Sequence, residues 1–175
     1  MKLKILMAML CLIAGNQLAM AQVKVAELVK EWERSKAYTK EYLDAMPESG
    51  YALKPTPEMR SFAEQNLHLA DANYGLVSAA LVIKSPFVPG AWEKTEDKSK
   101  ANVTSIVLAS YDFVIDQIKK LSDAQLDEPV KMLGSFDMLK RIALAKAFEH
   151  QVHHRGQTTV YLRLAGVKPP QEKLF

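Results

Sequence analysis

The chain contains four histidines, and three of them fall between His150 and His154. The stretch "FEHQVHHRGQTTVYLRLAGVKPP" spaces His150 and His154 four residues apart. On a helix that spacing puts two side chains one above the other on the same face. Two stacked imidazoles can share one metal ion, as they do in helical zinc-protease motifs. His153 points about 100° away from His154 around a helix, so it reads as a surface partner of Glu149. The remaining histidine, His68, sits within "SFAEQNLHLADANYG" among small or polar neighbours at helical spacing: Ser61, Gln65, Ala72 and Gly75. A lone histidine there can be an ordinary core residue. Packing its helix against the one that carries His150 and His154 would instead bring three neutral imidazoles together. Bundle cores commonly hold metals this way, and a metal relieves the cost of burying unpaired imidazoles.

Glu64 precedes His68 by one turn and Asp71 follows it by nearly one. Either could orient the imidazole or act as a general base, or simply face solvent. Gln157 lies one turn beyond His154 and could hydrogen-bond a ligand or a metal-bound water. Arg155 reads as one half of an ion pair within the bundle, and Gly156 as a point of close helix packing.

Four long segments with helical periodicity would carry these residues. The first covers about 23–46, with Val25, Leu28, Val29, Trp32, Tyr38 and Leu43 on one face, and "MPESGY" ends it. The second runs to about Ile83, with Thr56 as N-cap and Pro57 in the first turn. Its stripe is Phe62, Leu69, Leu76, Ala80 and Ile83. "KSPFVPGAW" separates it from a third helix over about 98–121. "SDAQLDEPVKMLGS" then connects to a fourth helix over about 136–165. That helix is expected to stop at Gly166, before Pro169 and Pro170. Along it, Leu139, Ala143, Lys146, His150, His154, Gln157, Tyr161 and Leu164 alternate 4/3 spacings and read as the buried stripe. No strand-like alternation is evident. The fold expected is all-α, a four-helix bundle.

The first 21 residues read as a different kind of segment. Lys2 and Lys4 precede an apolar run from Ile5 to Ala14, and "AMA" closes it. This is the pattern of a secretory signal peptide cut before Gln22. The run falls short of the roughly 20 residues that span a bilayer. Cys11 follows Leu10 rather than the small residue of a lipoprotein site, so no stable membrane anchor is expected. The domain is then 22–175, in the periplasm or secreted. Cys11 is the only cysteine, so the mature domain has no disulfide, thiolate ligand or thiol nucleophile. Removal of two lysines takes the formal net charge from +3 to +1. No basic tract remains for nucleic-acid binding.

The second-helix stretch "PEMRSFAEQNLHLADANY", the fourth-helix stretch quoted above and the four-helix layout together resemble the DinB family of DinB/YfiT-like bundles. The His-x-x-x-His-Arg-Gly-Gln run and the aromatic-Leu-Arg tail ending in Gly and Pro-Pro are the specific part. The resemblance covers nearly all of 22–175. It implies a divalent transition metal, nickel or zinc most often, held by His68, His150 and His154. It also makes a homodimer plausible. Three protein ligands leave a coordination position open, as catalytic sites do. Imidazole ligands by themselves suit zinc, nickel, copper and iron alike. The reading that follows is a metal-dependent enzyme of transferase or hydrolase type acting on a small molecule. The thiol co-substrates used by relatives are cytoplasmic, which fits an exported chain poorly. The alternative is a non-catalytic metal-binding or stress-associated module acting through partners. A metal-free interaction bundle is the third reading.

Overall fold

The computed structural model describes residues 23–175; the expected signal peptide lies outside them. Four helices dominate: α1 Val25–Ala45, α2 Phe62–Leu81, α3 Lys100–Ile118 and α4 Lys140–Leu164. Short 3₁₀ turns at Glu48–Gly50 and Asp123–Asp127 punctuate the connectors. Among the described residues no helix is long and apolar enough to cross a membrane.

The bundle is connected unusually. α2 packs against both α3 and α4, and α1 packs against the same two helices. The pairs α1/α2 and α3/α4 therefore lie across diagonals. A diagonal cannot be closed by a tight turn, and both diagonal connectors are long. Residues 119–139 contain the second 3₁₀ turn and an antiparallel hairpin of β1 Pro129–Met132 and β2 Phe136–Leu139, with Val130 opposite Met138. Leu133 and Gly134 both adopt positive φ, 50° and 73°, at its tip. Glycine accepts that conformation without strain.

The hairpin corrects the sequence reading, which expected no strand and began the last helix at Phe136. Two four-residue strands are too short to display convincing alternation, and their pairing is what makes them strands. The start of α2 is also corrected, from Thr56 and Pro57 to Ser61. The Ser61 hydroxyl accepts from the Glu64 backbone N–H at 3.1 Å, and the Ser61 N–H donates to Glu64 Oε2 at 2.8 Å. This reciprocal capping box satisfies two otherwise unpaired donors and outcompetes a lone threonine cap. At the other ends, Gly166 adopts φ 73° after α4 as expected, while Val82 takes φ 56° after α2.

Aromatic side chains fill the middle. Trp32 is fully buried and meets Tyr111 and Phe148 edge-on, at ring distances of 5.8 and 5.3 Å. Phe62 stacks edge-on against Tyr51 and Tyr161. The periodicity of the third segment predicts a face of Val103, Ile106, Val107, Ser110, Phe113, Val114, Gln117 and Leu121; Val103, Ile106, Val107, Ser110 and Val114 of α3 are buried, while Phe113, Gln117 and Leu121 are half-buried. On α4 the stripe holds in part: Ala143, His154 and Tyr161 are buried. Lys146 and Leu164 are exposed, and the buried line runs through Leu144, Ala147, Gln151, Thr158 and Leu162. A strict 3.5-residue repeat drifts about 20° per heptad on a straight helix. The drift leaves His150 and Gln157 half-buried at the edge of that line.

Candidate metal centre

α2 and α4 lie side by side, and their contact brings His68 to His150 and His154. One ring nitrogen from each lies within 4.8 Å of the others. Nε2 of His150 and Nε2 of His154 are 3.0 Å apart. Ring centroids are 4.2 Å apart for His150–His154, 4.6 Å for His68–His154 and 5.3 Å for His68–His150. Ligands of one ion at about 2.0–2.1 Å span roughly 3.3–4.2 Å. Small side-chain adjustments therefore close the set around a single ion.

The donor set and its surroundings fit an ion. His68 Nδ1 lies 2.5 Å from Glu93 Oε1, which fixes the ring and leaves Nε2 for a ligand. Glu93 also meets Arg60 at 3.3 Å. Asp71 is not the hydrogen-bond partner of His68. Its carboxylate accepts the backbone N–H groups of Trp92 and Glu93, at 3.2 and 2.9 Å, and so holds the loop that presents Glu93. His154 Nδ1 lies 2.7 Å from the Gln65 amide, and Gln65 also donates to Gln157 Oε1. Gln157 Nε2 reaches His153 Nε2 at 3.0 Å. A row of side chains thus runs from interior His154 to exposed His153. His150 Nδ1 is buried with no partner, an unmet polar group beside the site.

Burial keeps the imidazoles of His150 and His154 neutral. Burial, then the neighbouring His150 and His68, pushes the His154 pKa down to about 3. Burial and then His68 also lower that of His150. Neutral imidazole is the form that binds metal. Burial opposes ionisation of Glu93, but its contacts with His68 and Arg60 outweigh it and hold its pKa below the usual carboxylate value.

Other expectations change. Glu64, a candidate base, is drawn away from the histidines. Its oxygens take the Ser61 N–H and Lys98 Nζ at 2.8 Å, with Lys54 at 3.5 Å. These contacts, Lys98 first, hold its pKa near 2, where it is a weak base. Glu149 pairs with Lys146 at 2.7 Å rather than with His153. Arg155 is buried but joins no ion pair among the described residues. Its Nη1 donates to Ser35 Oγ at 2.6 Å and Gln151 Oε1 at 3.1 Å, and its guanidinium sits 4.6 Å from the centre of the Tyr38 ring. Gly156 is exposed, and a Cβ there would meet nothing within 4 Å, so it is not a packing point. Glu93 was not anticipated. It lies 25 residues from His68 in a proline-rich loop, beyond the reach of helical spacing. Gln65 was visible as a helical neighbour of His68, but its contact with His154 depends on the packing of α2 on α4.

His68 and His150 also line a cavity of about 550 Å³ between α2, the loop after it and the hairpin tip. His154 lies behind them, buried.

A diagonal-connected four-helix bundle with an interior three-histidine cluster facing a cavity defines the class. The profile of the DinB family matches residues 20–174, and the chain belongs to that family. A DinB-like protein of Bacillus cereus superposes with a TM-score of 0.75 at 19% identity, over 88% of this chain and all of that one. YfiT of Bacillus subtilis superposes at 0.65 and 16% identity, over 87% and 93% of the two chains. YfiT is described as a probable metal-dependent hydrolase with an unusual four-helix bundle topology. YjoA of Bacillus subtilis is 22% identical over 146 residues, covering 80% of this chain and 90% of YjoA.

Proposed function

We propose that this protein is a metal-dependent enzyme of hydrolase type, with one divalent ion held by His68, His150 and His154. The observation that carries the reading is the gathering of three imidazoles beside an open cavity that His68 and His150 line, two of the three tethered through Nδ1 by Glu93 and Gln65. The description of YfiT supports the same class. Nickel or zinc fits the donor set. An ion there would supply Lewis acidity toward a substrate carbonyl or phosphoryl oxygen and lower the pKa of a bound water.

The chain's own residues do the rest. Glu93 keeps the His68 hydrogen on Nδ1, and Asp71 keeps Glu93 in place. Gln65 can turn its amide to accept the His154 Nδ1–H, which frees Nε2 for coordination. The cavity wall restricts water around the histidines. Glu93 lines the cavity as well as touching His68, and so takes the position beside the ligands that Glu64 was expected to fill. Export to the periplasm or medium, directed by residues 1–21, belongs to this proposal, and fractionation of cells tests it.

The decisive experiment is metal content by mass spectrometry on protein purified without a metal-affinity column. Near one equivalent of a transition metal is expected, and His150→Ala and His154→Ala should each lose it. Protein without metal that also takes up neither zinc nor nickel on titration would overturn the proposal.

A further inference from the structure

The cavity beyond the histidines has a chemical character of its own. Its volume of about 550 Å³ falls in the range of pockets that hold drug-sized ligands. Its mouth is apolar as well as its wall. Ile83, Phe87, Val88 and Leu133 all line it, yet stand 38%, 38%, 73% and 65% exposed. Clustered exposed apolar side chains of this kind mark binding surfaces.

Polar groups in the wall are mostly committed elsewhere. Asp71 is taken by backbone N–H groups, and Glu93 by His68 and Arg60. The Ser85 hydroxyl donates to the Phe87 carbonyl at 2.8 Å. The Ser78 hydroxyl is buried without a partner, so a ligand gains at most one further hydrogen bond there. Among the described residues, no lysine or arginine lines the cavity. A phosphorylated or sugar-like ligand would lose more hydration in it than the wall returns. An apolar body gains in proportion to the area it buries. The one polar end is formed by His68 and His150.

We propose that this cavity binds the hydrocarbon body of an amphiphilic carboxyl compound, a fatty-acyl or arylalkyl derivative. Its oxygen head lies against the histidines and its tail runs toward Val88 and Leu133. The inference rests on the metal-site reading above for the head group, while the tail rests on the cavity alone.

Gly75 provides a clean probe. It lines the cavity from within α2, and a Cβ added there meets nothing within 4 Å. A leucine at this position occupies ligand space and replaces a mid-helix glycine with a better helix former.

The experiment is calorimetric titration of straight-chain carboxylates, butanoate to decanoate, into zinc-loaded and metal-free protein. One-to-one binding is expected, tightening about three- to fourfold per methylene until the cavity is full. Gly75→Leu should weaken decanoate at least tenfold with zinc content unchanged. In metal-free protein the affinities should fall together while the chain-length increment persists. Equal affinity for butanoate and decanoate, or decanoate binding untouched by Gly75→Leu, overturns the cavity assignment and leaves the metal site standing. An increment that persists with no effect of zinc overturns the placement of the head group at the histidines and keeps the tail site. A chain that binds no zinc at all fails the metal reading separately, because the tail increment is read on metal-free protein.

Discussion

His68, His150 and His154 are equivalent in chemistry but not in surroundings. His68 meets Glu93 and His154 meets Gln65, while Nδ1 of His150 has no partner. Glu93→Gln keeps a side chain of the same size but removes the charge that fixes the His68 ring. Losses of roughly 10–100-fold in metal affinity follow from removing such partners. We expect zinc affinity, measured by competition with a chromophoric chelator, to fall within that range in Glu93→Gln. His153→Ala should leave zinc affinity within about threefold, since exposed His153 meets the site through Gln157 and an edge contact with the His154 ring, and its own ring nitrogens lie outside the cluster. A Glu93→Gln protein that binds zinc as tightly as the parent would remove Glu93 from the site. His150 and His154 were legible because their spacing lies within one helix. Glu93 was not, because only the fold of a loop carries it to His68.

At the scale of the helices, two substitutions test local rules. Gly156 occupies an exposed interior position of α4 with open space around it. Gly156→Ala should therefore stabilise the protein by about 0.5–1 kcal/mol in denaturant melts. Destabilisation would restore the close-packing role. The start of α2 makes a pH prediction. The Glu64 pKa is lowered from 4.5 to about 2 in the folded protein, so the folded state favours the carboxylate. Its contribution is complete above the unfolded value and disappears as pH falls from about 4.5 through about 2. Glu64→Gln can still close the capping box but loses Lys98 and Lys54. Its stability should be lower at neutral pH and should decline less steeply over that acid window. Parallel declines for parent and variant would show that the lysine contacts contribute nothing. The misplaced start of this helix has a simple cause. Thr56-Pro57-Glu58 and Ser61-x-x-Glu64 are both sound N-terminal signals, and the chain uses the reciprocal one.

Across the molecule, the ion would tie two helices that are already neighbours, with α2 contributing His68 and α4 contributing His150 and His154. A ligand that binds only the folded state adds about 2.7 kcal/mol at a hundredfold excess over its Kd. For a chain of this size that corresponds to a rise in Tm of roughly 5–10 °C. The rise should appear on zinc addition to the parent, reverse with chelator and vanish in His68→Ala. A zinc effect that survives in His68→Ala would place the binding elsewhere. Two of the long connectors serve this geometry. The long segment after α2 packs over the histidine face and supplies Glu93, while the hairpin before α4 supplies Leu133 to the cavity mouth.

The sequence by itself determined the helical class, the His150–His154 pair on one helix face and the stop after α4 at Gly166, because each rests on short-range periodicity or on a local backbone rule, while the resemblance to the family added His68 to that pair. The tertiary structure decided the rest. The hairpin exists through pairing between strands too short to announce themselves. Arg155 is held by Ser35 and Gln151 because α1 packs on α4, and no spacing within α4 could show that neutral acceptors would replace a carboxylate. Glu93, Gln65 and the apolar cavity arise from contacts between segments far apart in the chain. Local patterns record which face of a helix is buried, but not which neighbour will cover it.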